Sequence, residues 1–167
     1  DKIEEITGIL NGTTNYMLTK MTNEDLEYND VLSDAQDKGY AERNPDADVE
    51  GYDACRKIAI LASLATEKTV SYDDIYTEGI THISKTDIDY VKKMGGVVKL
   101  IAKAEFEGDK VWAMVSPAIV MPDNPLSMVN DVFNAILLKG NMLGNVMFYG
   151  RGAGKLPTAS AVVSDIV

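Results

Sequence analysis

Along the first 21 residues, Ile3, Ile6, Leu10, Thr13, Met17 and Met21 recur at spacings of three and four, the repeat of one face of an α-helix. The pattern predicts an opening amphipathic helix whose other face carries Asn11, Gly12, Thr14 and Asn15. Glycine costs about 1 kcal/mol relative to alanine inside a helix, and Asn and Thr are weak helix formers. Their presence there points to a close approach or hydrogen bonding on that face, with an indifferent surface patch as the alternative. A short second helix is expected over 27–38, with Val31, Leu32 and Ala35 inward and Gly39 as its stop. Residues 40–50 read as a polar, acidic loop in which Pro45 prevents helix and Asp48 is placed to cap the third helix. That helix, over 49–66, carries Ala54, Ile58, Ala59, Ile60, Leu61, Ala62, Leu64 and Ala65. It is apolar almost all round, the mark of a buried helix.

Beyond it the pattern changes period. Ser84 opens a helix that ends near Gly95 and Gly96, and 97–106 and 110–120 are rich in Val, Ile and aromatics. Glu107-Gly108-Asp109 between them predicts a hairpin. Two further strands are expected at 133–138 and 145–149, and after Gly150-Arg151-Gly152-Ala153-Gly154 and Pro157 a last helix. Helices first and mostly adjacent strands afterwards predict an α+β fold, a mixed, largely antiparallel β-sheet covered by helices. At 167 residues the chain is expected to form one domain, 1–167.

Composition narrows the function. Sixteen basic against 26 acidic residues give a net charge of −10, and no basic block occurs, so neither nucleic acid nor an anionic membrane is an expected partner. The longest apolar run is about ten residues, half of what a bilayer requires. A single cysteine, Cys55, and a single histidine, His82, exclude an internal disulfide and a His-rich metal site; no metal is expected, and a cytoplasmic location is. The start at Asp1 and the stop at Val167, each inside an element pattern, read as a piece of a longer protein.

The candidate chemistry lies between Ala35 and Lys57. Asp53 and Lys57 are four apart on one helix face, and the same face continues into Ile60, Leu61 and Leu64. The pair therefore extends a stripe expected to be buried. An ordinary intrahelical ion pair, worth about 0.3–0.5 kcal/mol, is the bland alternative. A lysine among carboxylates at a buried helix end is a candidate proton-transfer group, and the carboxylates suit a substrate ammonium. The glycines at 150, 152 and 154 lack the strand–turn–helix context of a dinucleotide fingerprint. His82 is expected to be indifferent and Cys55 a small core residue.

Three stretches carry a resemblance. Residues 35–57, with Gly39-Tyr-Ala-Glu42, Asp48, Asp53 and Lys57, resemble the defining pattern of the homoserine dehydrogenase family. So do Gly8-Ile-Leu-Asn-Gly-Thr-Thr-Asn-Tyr16 and Gly152-Ala-Gly154-Lys-Leu-Pro-Thr-Ala-Ser-Ala161. The resemblance covers the family's catalytic and dimerisation domain, which a nucleotide-binding half normally precedes. It implies interconversion of L-homoserine and L-aspartate 4-semialdehyde with NADP or NAD, in threonine and methionine biosynthesis, and a homodimer. Lys57 aligns with the catalytic lysine, general acid in reduction and base in oxidation. Glu42 aligns with the carboxylate that takes the substrate ammonium, and Asp53 with a second that contacts substrate and orients the lysine. Asp48 matches an acidic position where helix capping competes with substrate contact. Gly152 and Gly154 match glycines that approach the cofactor. Asn44 stands where the family most often has Asp, which removes a charge beside the substrate loop. Two other readings stand beside this one: an oligomerisation module of the parent enzyme, and the substrate domain of a related amino-acid semialdehyde dehydrogenase.

Overall fold

The computed structural model describes residues 2–152 and 154–166; Asp1, Ala153 of the closing glycine motif and Val167 lie outside them. The chain opens with a strand rather than a helix. β1 (Ile3–Ile9) is followed by α1 (Gly12–Glu24), α2 (Tyr28–Asp37), the single turn α3 (Asp46–Val49) and α4 (Tyr52–Thr66). Then come β2 (Tyr76–Thr77), α5 (Lys85–Lys93), the hairpin β3 (Val97–Glu107) and β4 (Lys110–Val120), β5 (Phe133–Gly140), β6 (Gly144–Arg151) and α6 (Lys155–Ile166). The class is α+β, and apart from β1 the helical elements through α4 precede the sheet strands.

The expected opening helix fails over 3–9 for a physical reason. Ile3, Ile6, Thr7 and Ile9 are β-branched and favour the pleated backbone, and Gly8 weakens a helix there. Long-range pairing then decides: β1 lies in the interior of the sheet, with Ile6 opposite Ala104 of β3 and Leu138 of β5. The helical repeat begins only at Gly12, so Asn11 is a cap and not a mid-helix residue.

The six strands run β2-β4-β3-β1-β5-β6, and every pairing except the short parallel β2–β4 is antiparallel. One face packs under the helices in a core that includes Ile6, Leu10, Leu18, Met21, Ile58, Ala62, Ile88 and Leu100. On the other face a smaller cluster of Ile9, Ile101, Val120, Leu126, Val129 and Ala135 sits beneath the segment 125–129. Ser84 opens α5 as expected, within a reciprocal capping box with Asp87. Cys55 is a buried core residue.

The third helix is less buried than its composition predicts. Ile58 and Ala62 of α4 are sealed against the sheet, whereas Ile60 is 60% and Leu64 72% exposed. The stripe continuing from Asp53 and Lys57 is therefore an open apolar surface. Residue type alone cannot separate a helix buried on all sides from one awaiting a neighbour, because both are apolar.

A polar cage sits between α1 and β5. Asn15 donates through Nδ2 to the carbonyls of Val129, Asp131 and Phe133, at 3.1, 3.0 and 3.1 Å. The ammonium of buried Lys99 donates to Asn15 Oδ1 and Asn130 Oδ1, each at 3.1 Å, and to the Val129 carbonyl. These bonds fix the segment leading into β5 against the start of α1, where the polar end of the sheet opens to solvent.

Candidate active site

Three junctions meet at one end of the sheet. The first is the β1–α1 turn, Leu10 to Thr13. The second is the pair α3 and α4, which brings Asp48, Asp53 and Lys57. The third is β5 with the end of β6, which brings Asn134, Arg151 and Gly152. Lys38, Gly39 and Tyr40 after α2 close the rim, so that a polar cleft of about 510 Å3 lies among them. It adjoins an apolar cleft of about 410 Å3 walled by Leu10, Leu61, Ile136, Phe148 and Tyr149. Lys57, Asn134, Arg151 and Gly152 line both.

Lys57 stands at the junction of the two clefts. Its Nζ donates to Asp53 Oδ2 at 2.7 Å and to the Leu10 carbonyl at 3.0 Å. The side chains are half-exposed, 47% for Lys57 and 32% for Asp53, so the pair is anchored on one side and open to the cleft on the other. Two acceptors on an ammonium with three protons leave one donor direction for a ligand.

Asp48 does not cap α4. The N-cap position of that helix is Gly51, which adopts a left-handed backbone and makes no side-chain cap. Asp48 Oδ1 instead accepts from Asn11 Nδ2 at 2.6 Å, and the same Nδ2 donates to Asp53 Oδ2 at 3.0 Å. Burial pushes the Asp48 carboxyl up from the usual range, Asn11 draws it down, and the neighbouring Asp53 charge raises it again.

Glu42 is not part of this constellation. It lies exposed on the loop before α3, where its backbone carbonyl accepts from Gln36 Nε2 at 3.0 Å. Its charge still reaches Asp48 and raises it slightly. Asn44 has a local role, its Oδ1 accepting from the Asp46 N–H at 3.3 Å where α3 begins.

The glycines of the closing motif are held by geometry. A Cβ on Gly152 would fall 2.2 Å from Asn134 Nδ2, closer than any real contact, and Gly154 has φ +125°, which L side chains rarely adopt. Asn134 is thus wedged beside Gly152 while its Nδ2 donates to the Leu10 carbonyl at 3.2 Å. Its Oδ1 is buried with no partner among the described residues.

Four residues that line the cleft carry no role on sequence grounds: Asn11, Lys38, Asn134 and Arg151. Asn11 stands out inside an unusual polar run, but the helical repeat places it in the wrong element. Asn134 has a signal as well, a lone amide between Phe133 and Ala135 in an otherwise apolar strand. Lys38 and Arg151 have none, since single basic residues in loops and at strand ends are common.

The homoserine dehydrogenase family model matches residues 1–167. The chain belongs to the homoserine dehydrogenase family. A homoserine dehydrogenase of Synechocystis sp. is 49% identical over 171 residues, covering all of this chain and 40% of that protein. One of Bacillus subtilis is 47% identical over 167 residues, again covering the whole chain and 39% of the relative. The crystal structure of the Staphylococcus aureus homoserine dehydrogenase at pH 6.0 superposes with a TM-score of 0.95 at 42% identity, covering 99% of this chain and 42% of that one. A hyperthermophilic archaeal homoserine dehydrogenase mutant, solved in complex with NADPH, superposes with a TM-score of 0.82 at 31% identity over 99% of this chain and 46% of that one. The chain thus spans about two fifths of the length of the curated relatives it matches. Among the described residues, no helix is long and apolar enough to cross a membrane.

Proposed function

We propose that residues 1–167 form the substrate-binding and catalytic domain of an enzyme that interconverts L-homoserine and L-aspartate 4-semialdehyde with NADP or NAD. The observation that carries this reading is the Lys57 ammonium, held by Asp53 and the Leu10 carbonyl at the meeting point of a polar and an apolar cleft. Reduction of an aldehyde builds negative charge on its oxygen. A positioned ammonium stabilises that charge and delivers a proton to the oxygen, and in the oxidative direction neutral Lys57 takes the hydroxyl proton. Asp53 and Asp48 supply the anionic surface that a zwitterionic substrate needs for its ammonium. Glu42 adds a longer-range pull, its exposed carboxylate carried on a loop that Gln36 holds by the Glu42 carbonyl.

The apolar cleft suits a nicotinamide ring. Phe148, Tyr149, Ile136 and Leu61 give apolar, partly aromatic walls, and the backbone at Gly152 allows close approach. The dinucleotide supplies or takes up hydride when bound; these residues would hold only its reactive end, with the rest on a nucleotide-binding half of the parent enzyme. That the archaeal relative was solved with NADPH supports a nicotinamide dinucleotide as the cofactor.

A second copy of the chain is the proposed partner. No residue of α6 is buried, and Leu156, Val163 and Ile166 on it, with Phe148 on β6, are open to solvent. Apolar surface of that extent calls for cover by a neighbouring chain or domain.

The test is a direct assay of the parent enzyme for reduced nicotinamide formed from L-homoserine, beside L-serine, which is one methylene shorter. Turnover with homoserine and little with serine is expected; failure to turn over homoserine overturns the reading.

A further inference from the structure

Asn11 is a buried amide placed between two acids. It is only 5% exposed. Its Oδ1 caps α1, accepting from the Thr14 N–H at 2.8 Å and the Thr14 hydroxyl at 2.9 Å. Its Nδ2 has two protons, and both go to carboxylates, those of Asp48 and Asp53. Aspartate and serine cap helices as well as asparagine does, so capping alone does not select this residue. A primary amide is the side chain of this length that accepts from the helix through one atom and donates to two anions through the other. The Asp53 oxygen that it holds, Oδ2, is also the one that pairs with Lys57.

We infer that Asn11 is a positioning residue of the catalytic site, whose amide holds Asp48 and Asp53 side by side and, through Asp53, aims the Lys57 ammonium into the cleft. The inference rests on the proposed assignment of Lys57 as the proton-transfer group. Without the amide the two acids repel one another, and Asp48, already pushed up by burial, takes a proton more readily. The charged groups that face Asp48 are Asp53 and Lys57 from α4 and Glu42 from the loop before α3, with Lys38 and Arg151 also lining the cleft.

The experiment compares Asn11→Asp and Asn11→Ser in the parent enzyme, with kcat and KM for homoserine measured across pH and folding followed by thermal melting. Asn11→Asp keeps the shape and the cap but exchanges the donor for a third anion. It is expected to lower kcat/KM about 10-fold to 100-fold, the loss of a hydrogen bond to a charged group. It should also move the acidic limb of kcat/KM to higher pH, with KM for the nicotinamide cofactor unchanged. Asn11→Ser, which keeps the cap and loses the amide, is expected to move the limb the same way by less. An acidic limb that stays in place in both variants overturns the positioning role. So does loss of activity that only tracks loss of folded protein, which would make Asn11 a cap and nothing more. A wild-type parent without homoserine activity is the distinct result that overturns the underlying assignment.

Discussion

Lys57 and Asn134, from α4 and β5, donate to the same carbonyl oxygen, that of Leu10 at the end of β1, at 3.0 and 3.2 Å. One backbone atom therefore ties the candidate proton donor to β5, whose Asn134 lines both clefts. Anything that displaces Asn134 alters the setting of Lys57.

Gly152→Ala is the smallest such displacement. Its methyl would fall 2.2 Å from Asn134 Nδ2, so Asn134 must leave the Leu10 carbonyl or β6 must shift. Activity of the parent enzyme should fall about 10-fold or more, in proportion to a misplaced catalytic group, while the melting temperature changes by a few degrees. Steady-state kinetics and calorimetry on the same sample check both. Unchanged kcat with the methyl in place would show that the Asn134 contact does not matter to Lys57.

Lys99 should leave a mark on the pH dependence of stability. Burial pushes its ammonium down to about 8 against the pull of Asp131, whereas the unfolded lysine titrates near the ordinary value of about 10.4. Between those two values the unfolded chain binds the extra proton, so stability rises with pH across that window and the strain of burying the charge is felt in full below it. The rise is on the order of 3 kcal/mol. Denaturant titrations at pH 7, 8, 9 and 10 on wild type and Lys99→Met check this; the variant should lack that component of the slope.

Ile58 and Ile60 lie two residues apart on α4 with opposite fates, one sealed and one 60% exposed. In this chain Ile58→Ala should cost about 2–5 kcal/mol by opening a cavity, and Ile60→Ala no more than about 0.5 kcal/mol. Equal costs would mean that the apolar face of α4 is already covered.

Most of the element plan is legible in residue periodicity. The β3–β4 hairpin, the α5 capping box and the α2 stop at Gly39 rest on local signals: β-branched runs around a glycine turn, a Ser84 and Asp87 pair, a helix terminator. β1 is not legible, because Ile3, Ile6 and Leu10 fit a helical repeat as well as a strand, and the deciding term is pairing with β3 and β5, about a hundred or more residues away. That one error hides the site's organiser, since Asn11 in mid-helix has no reason to meet Asp48. Asp53 and Lys57 are legible from their spacing of four. Glu42 is nominated through family resemblance, and its position on an open loop comes from tertiary packing that no spacing records.

The central claim, that Lys57 moves the proton at the substrate oxygen, is tested most directly by the kinetics of Lys57→Met in the parent enzyme, with thermal melting on the same preparation. Turnover of homoserine should drop by about 100-fold to 10,000-fold, the usual worth of a general acid–base group, with the melting temperature within a few degrees of wild type. Turnover near the wild-type rate, or a loss matched by unfolding, would make Lys57 a structural ion-pair partner of Asp53 and contradict the account.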